Sequence, residues 1–138
     1  MSDLLANDLA DWLAAQASLA VGTDLFVGHL PQDGSLATVV RETGGPGGEY
    51  VPVADYTFQL TTRGADYAEA RARAAALYDC VYPPGARVPV RNANLSADWR
   101  ALAIDAAQPP ADLGRGEDGR HRVVFNLIVR AHRLSGGE

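Results

Sequence analysis

The sequence predicts a single α+β domain. Two stretches carry helical apolar spacing with capping residues, one near the N-terminus and one mid-chain. Short segments between and after them have the alternation or two-sided apolarity of strands. The 138 residues are one domain's length, so residues 1–138 read as one unit. With 47% hydrophobic and 21% charged residues, the composition is that of a globular chain able to bury a core.

Residues 2–17 read as the first helix. Leu5, Leu9, Trp12 and Leu13 recur at i, i+4, i+7 and i+8, with Asp8 and Asp11 off the stripe. Ser2 can cap the first turn, and Asp3 suits the helix dipole. Two β-type segments follow, 24–30 and 36–42, on either side of Pro31-Gln32-Asp33-Gly34-Ser35. Pro and Asp-Gly there predict a turn, and the pair reads as a hairpin. Thr43-Gly44-Gly45-Pro46-Gly47-Gly48-Glu49 cannot continue a strand and reads as a loop.

Residues 56–63 alternate, with Tyr56, Phe58 and Leu60 on one face and Thr57, Gln59, Thr61 and Arg63 on the other. Gly64 breaks the strand. Asp66 and Glu69 have the spacing of a capping box, and a helix runs from there to about Cys80. Tyr67, Ala70, Ala74, Leu77 and Tyr78 form its inner stripe, and Pro83-Pro84-Gly85 stops it. Residues 88–92 read as a short strand. Residues 99–106 and 123–131 are apolar on both faces, which predicts strands central in a sheet or covered by another subunit. The stretch from Gln108 to Gly119 reads as a polar connection, and residues 135–138 as a frayed tail.

The residues offer no catalytic, cofactor or metal site. The Gly44–Gly48 loop lacks the Gly-Lys-Ser/Thr of a phosphate loop. His29, His121 and His132 have no ligand spacing and read as surface or rim residues. Cys80, the single cysteine, reads as a half-buried packing thiol, and its solitude excludes a disulfide within the chain. No serine sits in a G-x-S-x-G elbow. No apolar run approaches the roughly 20 residues of a membrane span, and no membrane partner is expected. The net charge of -5 argues against a general nucleic-acid binder. All twelve basic residues are Arg, and they are unevenly placed. Residues 1–60 hold eight acids and only Arg41, whereas residues 61–138 hold nine acids and eleven Arg. Such asymmetry reads either as an accident of solvated surface or as a basis for contact between two different faces of neighbouring subunits.

The run from Arg63-Gly64-Ala65-Asp66-Tyr67 through Ala70-Arg71, on to Leu77-Tyr78-Asp79, resembles the strand-to-helix junction of bacteriophage tail terminator proteins, also described as minor capsid or head-to-tail joining proteins. Val39 to Gly45 is similar to their strand ending in a Gly-rich loop. Gln108-Pro109-Pro110, Leu113-Gly114-Arg115, Gly119-Arg120, Val124-Phe125-Asn126 and Arg130 are similar to their C-terminal pattern. The likeness spans most of the chain; the acidic first half departs from it. It implies a mixed, mainly antiparallel sheet flanked by two helices. It also implies a homohexameric ring without enzymatic activity that caps the tail tube protein and meets the head-tail connector protein. DNA would pass through the lumen without specific binding. Such a chain would sit at the virion's neck or tail end, after a period in the host cytoplasm. Another head or tail completion protein is the alternative within that class, and a small host enzyme or ligand-binding protein the alternative outside it. On the ring reading, Arg63, Arg71 and Arg73 are the expected basic side of a subunit contact and Asp8, Asp11 and Asp24 the acidic side. Gly44, Gly45, Gly47 and Gly48 would form a loop that orders against the tube or connector.

Overall fold

A computed structural model describes residues 5–32, 36–45, 53–83, 89–116 and 118–134. Among them are two helices, α1 (Leu5–Ala17) and α2 (Tyr67–Val81). Seven strands accompany them: β1 (Leu25–Val27), β2 (Ala37–Gly44), β3 (Val53–Gly64), β4 (Val90–Asn94), β5 (Trp99–Ala106), β6 (Ala111–Arg115) and β7 (His121–Arg133). They form one open sheet in the order β1-β2-β3-β7-β5-β4, with β6 pairing β7 beyond the end of β5. Every pairing is antiparallel except β1 with β2, so the α+β class and the mainly antiparallel sheet both hold.

Both helices pack on the same face of the sheet. Leu9 and Leu13 of α1 and Leu77 and Val81 of α2 are fully buried there against Val40, Phe58, Leu60, Ile104, Phe125, Leu127 and Val129. Each such large side chain stabilises the fold by about 1.5–3 kcal/mol. Ala70 and Ala74 let the first half of α2 lie close to Val123. Tyr67 departs from the expected inner stripe and is 45% exposed, while Val81, four residues beyond Leu77, is buried instead. The N-terminus of α2 is capped as the spacing predicts. Asp66 accepts from the Glu69 N–H (2.9 Å), while Glu69 reaches one residue further back, to the Ala65 N–H (2.8 Å). The expected Ser2 cap, the turn at Asp33 to Ser35, the Pro84-Gly85 stop, Val88 and the tail 135–138 lie outside the described residues.

Two sequence expectations are corrected. The segments around β1 and β2 do not form a hairpin: they run parallel, with Leu25 beside Thr38 and Val27 beside Val40. Gly28, at φ +96°, turns the chain out of β1, and its N–H donates to the Val40 carbonyl (3.0 Å). The chain must return to the start of the sheet before β2 begins, so Pro31 and Gln32 belong to a crossover and not to a hairpin turn. The polar connection from Gln108 to Gly119 also contains β6, which pairs with β7 through a turn at Gly116 and Gly119. Gly114 (φ +85°) and Gly119 (φ +79°) supply the left-handed positions that make this hairpin possible.

Gly64 joins β3 to α2 where a Cβ would stand 2.8 Å from the Ala70 backbone nitrogen. Gly64→Ala should push the helix off the sheet and cost about 1–3 kcal/mol, as overpacking does. Urea denaturation should show a lowered midpoint at an unchanged slope.

Candidate interface on the open sheet face

Strand alternation sends Phe58, Leu60, Phe125, Leu127 and Val129 toward the helices, so their neighbours along each strand point the other way. Among the described residues only the 28–32 crossover and the β6–β7 hairpin reach over that second face, at one end, where Val39, Thr61, Arg63 and Val124 are buried. In β7 it presents Arg122, Val124, Asn126, Ile128 and Arg130, and in β3 Asp55, Thr57, Gln59, Thr61 and Arg63. Ile128 is 39% exposed although its strand is paired on both sides.

One end of this face is a groove of about 760 Å³. Its floor is β2, β3 and β7. One wall is the 28–32 crossover, which three arginines hold by its carbonyls. Arg41 Nε donates to Gly28 O (3.2 Å), Arg63 Nη1 to Pro31 O (2.7 Å) and Arg120 Nη1 to Gln32 O (3.3 Å). The other wall is the β6–β7 hairpin, with Leu113 59% exposed at its rim. There Arg122 forks onto Asp118, Nη1 to Oδ1 at 3.2 Å and Nη2 to Oδ2 at 3.1 Å. That guanidinium, helped by the Arg120 N–H, lowers the Asp118 carboxyl to about 2. At the opposite end Arg130 forks onto Asp55 (2.9 and 3.2 Å), which lowers the Asp55 pKa and raises that of Arg130. A hollow of about 180 Å³ lies beside Ile128, between Asp55, Asp105 and Arg130.

The residues expected at a contact are scattered. Arg63 belongs to the open face but is 3% exposed, spent on the crossover. Arg71 and Arg73 lie half-buried on α2, on the other side of the sheet from it. Asp8 is turned inward at 9% exposure, where its Oδ2 accepts from Ser96 Oγ (2.8 Å). Asp11 is exposed on α1, and Asp24 accepts from the Ala20 N–H (3.0 Å). Gly44 and Gly45 end β2 beside Thr57 and Tyr56, and Gly47 and Gly48 lie outside the described residues. Sequence reading passed over Arg41, Arg122, Leu113 and Ile128. The signal for Ile128 was present in the two-sided apolarity of its strand.

Little here suits catalysis. His121 Nε2 meets Asp112 Oδ1 at 2.7 Å, and Tyr67 stands edge-on to the imidazole, a pair that ties the hairpin to α2. Cys80 is half-buried, its Sγ donating to Ala76 O, and burial first and Asp79 second push its pKa up, away from thiolate chemistry. Among the described residues no three His, Cys, Asp or Glu side chains are placed to hold a metal. No described helix is long and apolar enough to cross a membrane.

Neither a family model nor a curated protein matches the chain. Its fold is shared with a chain of a solved particle, the virion of a native gene transfer agent. The TM-score is 0.57 at 16% identity, over 95% of this chain and 98% of that one.

The β6–β7 hairpin should be acid-sensitive. Asp112 is held below its ordinary value by the Gly114 N–H first and His121 second, and Asp118 by Arg122. Carboxyl groups with lowered folded-state pKa values support the fold above the ordinary value of 3.8 and lose that support as pH falls through the folded value. Carbon-detected NMR should therefore show Asp118 titrating near 2, with hairpin amide shifts collapsing between about pH 4 and 2. In Arg122→Gln the Asp118 midpoint should move back toward the ordinary value.

Proposed function

We propose that this chain is a structural subunit of a phage-like particle, a tail terminator. Its copies close into a six-membered ring that caps the tail tube, joins it to the head connector, and lets DNA pass through the lumen. The supporting observation is the fold shared with a gene transfer agent virion chain over nearly the full length of both. The order and spacing of the Arg63–Asp79 and Gln108–Arg130 motifs support the terminator position within such a particle. The exposed part of the second sheet face supports a role in assembly, because a lone subunit leaves apolar surface such as Ile128 in water.

The proposed partners are other copies of the chain, the tail tube protein and the connector protein. A closed ring needs two different complementary surfaces on each subunit, and burial of apolar area must supply most of the joining energy. The work is interface formation, with no reaction to catalyse, and its place is the virion neck or tail end.

Deleting the coding gene should leave filled heads and tails accumulating separately, as counted by electron microscopy, and supplying the chain in trans should rejoin them. Properly joined particles without the chain would overturn this reading. Native mass spectrometry of the purified chain should show a six-fold species. Light scattering should show it forming faster at low salt than at high salt, since complementary charge acts mainly on encounter rates.

A further inference from the structure

We propose that the groove between the 28–32 crossover and the β6–β7 hairpin is a binding site for an acidic side chain carried on a short extended peptide. This goes beyond the ring reading and stands or falls separately from it.

The groove has the size of a ligand site. Its volume of about 760 Å³ lies within the roughly 300–1,000 Å³ of pockets that enclose small ligands. The register of its floor strands collects the polar groups. Arg41 of β2 stands opposite Gln59 of β3, and Val39 stands opposite Thr61, one step along the same face. Opposed side chains on one face start about 5 Å apart, and successive ones along a strand about 7 Å apart. Arg41, Gln59 and Thr61 therefore come within reach of a single bound group.

The chemistry of that group follows from what is left unpaired. Thr61 is 8% exposed, yet its hydroxyl has no hydrogen-bond partner among the described residues. A polar group so far withdrawn from water is costly to leave unmade. The Gln59 carboxamide beside it has no partner among them either. Arg41 spends only Nε, on the Gly28 carbonyl, and makes no ion pair among the described residues. That bond fixes the guanidinium against the crossover and leaves its two Nη groups as an end-on fork. The other groove cations are engaged, Arg63 on Pro31 O and Arg122 on Asp118, so Arg41 carries the charge recognition.

A fork, a hydroxyl and a carboxamide are donors matched to a carboxylate. Its two oxygens accept the fork, and their remaining lone pairs take Thr61 and Gln59. A phosphate group is the poorer ligand, because it brings a charge of about -1.5 to -2 to a groove that already holds the ionised Asp118. Leu30, Val39 and the exposed Leu113 line the same groove and offer aliphatic surface to the carbon chain behind the carboxylate and to the residues beside it.

The test is a titration of the isotope-labelled full chain with the blocked peptide acetyl-Leu-Glu-Leu-amide, followed by amide NMR. The Val39, Arg41, Gln59 and Thr61 amides should shift together and saturate in the millimolar range. The analogue acetyl-Leu-Gln-Leu-amide should bind about tenfold more weakly, because hydrogen bonds to a charged group are lost. Arg41→Gln should weaken the Glu peptide about tenfold, and Thr61→Val, which keeps the shape and removes the hydroxyl, about threefold. Arg41→Gln also releases the Gly28 carbonyl, so Thr61→Val and the peptide pair decide the matter if that variant fails to fold. Glutarate alone should bind more weakly than the peptide, and inorganic phosphate should leave the four amides unmoved. Unshifted amides, equal binding of the two peptides, Thr61→Val binding like the parent, glutarate matching the peptide, or phosphate taking the site would each overturn the proposal. Assembly is not read in this titration, so any of these results leaves the ring reading standing.

Discussion

The structure depends on β7. This 13-residue strand pairs with β3 along nearly its whole length on one side, and with β5 and then β6 on the other. Its alternate residues Val123, Phe125, Leu127, Val129 and Ala131 form the floor on which both helices rest. The remaining residues have to face the other way. With both helices on one face, the described residues cover the second only at one end, by the 28–32 crossover and the β6–β7 hairpin, and the part around Ile128 is left exposed.

Side chains on the second face are held in place. Arginine forks onto Asp55 and Asp118 fix the orientation of Arg130 and Arg122 before any partner arrives. The crossover wall of the groove is tied down by three guanidinium groups on three carbonyls. A partner meeting such a surface orders few side chains, which limits the entropy lost on binding. No comparable convergence of nucleophile, base and oriented third group exists among the described residues. The half-buried, protonated Cys80 and the hairpin-tying His121 serve packing and hairpin geometry.

Much of the fold was legible in the sequence because it is local. The α1 stripe, the Asp66 cap, the alternation of β3 and the two-sided apolarity of β5 and β7 are each set by neighbours within a few residues. What escaped was non-local. The parallel pairing of β1 depends on Gly28 redirecting the chain, and segment composition alone cannot tell a return from a hairpin. β6 is short, polar and held by its pairing with β7, so its own residues show little strand preference. The surroundings of the candidate contact residues were non-local too. Asp8 is drawn inward by Ser96, 88 residues away, and Arg63 is covered by a crossover whose course the sequence did not show. Charge asymmetry along the chain says nothing of which side of the sheet a residue takes, and that placement required the sheet register.

The proposal that this chain is a subunit of a phage-like particle is tested most directly by a density map of such a particle. The account predicts the chain in a closed ring at the end of the tail tube, with Ile128 and the sheet around it buried beneath a neighbouring subunit. The chain found outside the tail end, or in a ring that leaves the sheet face open to water, would contradict it.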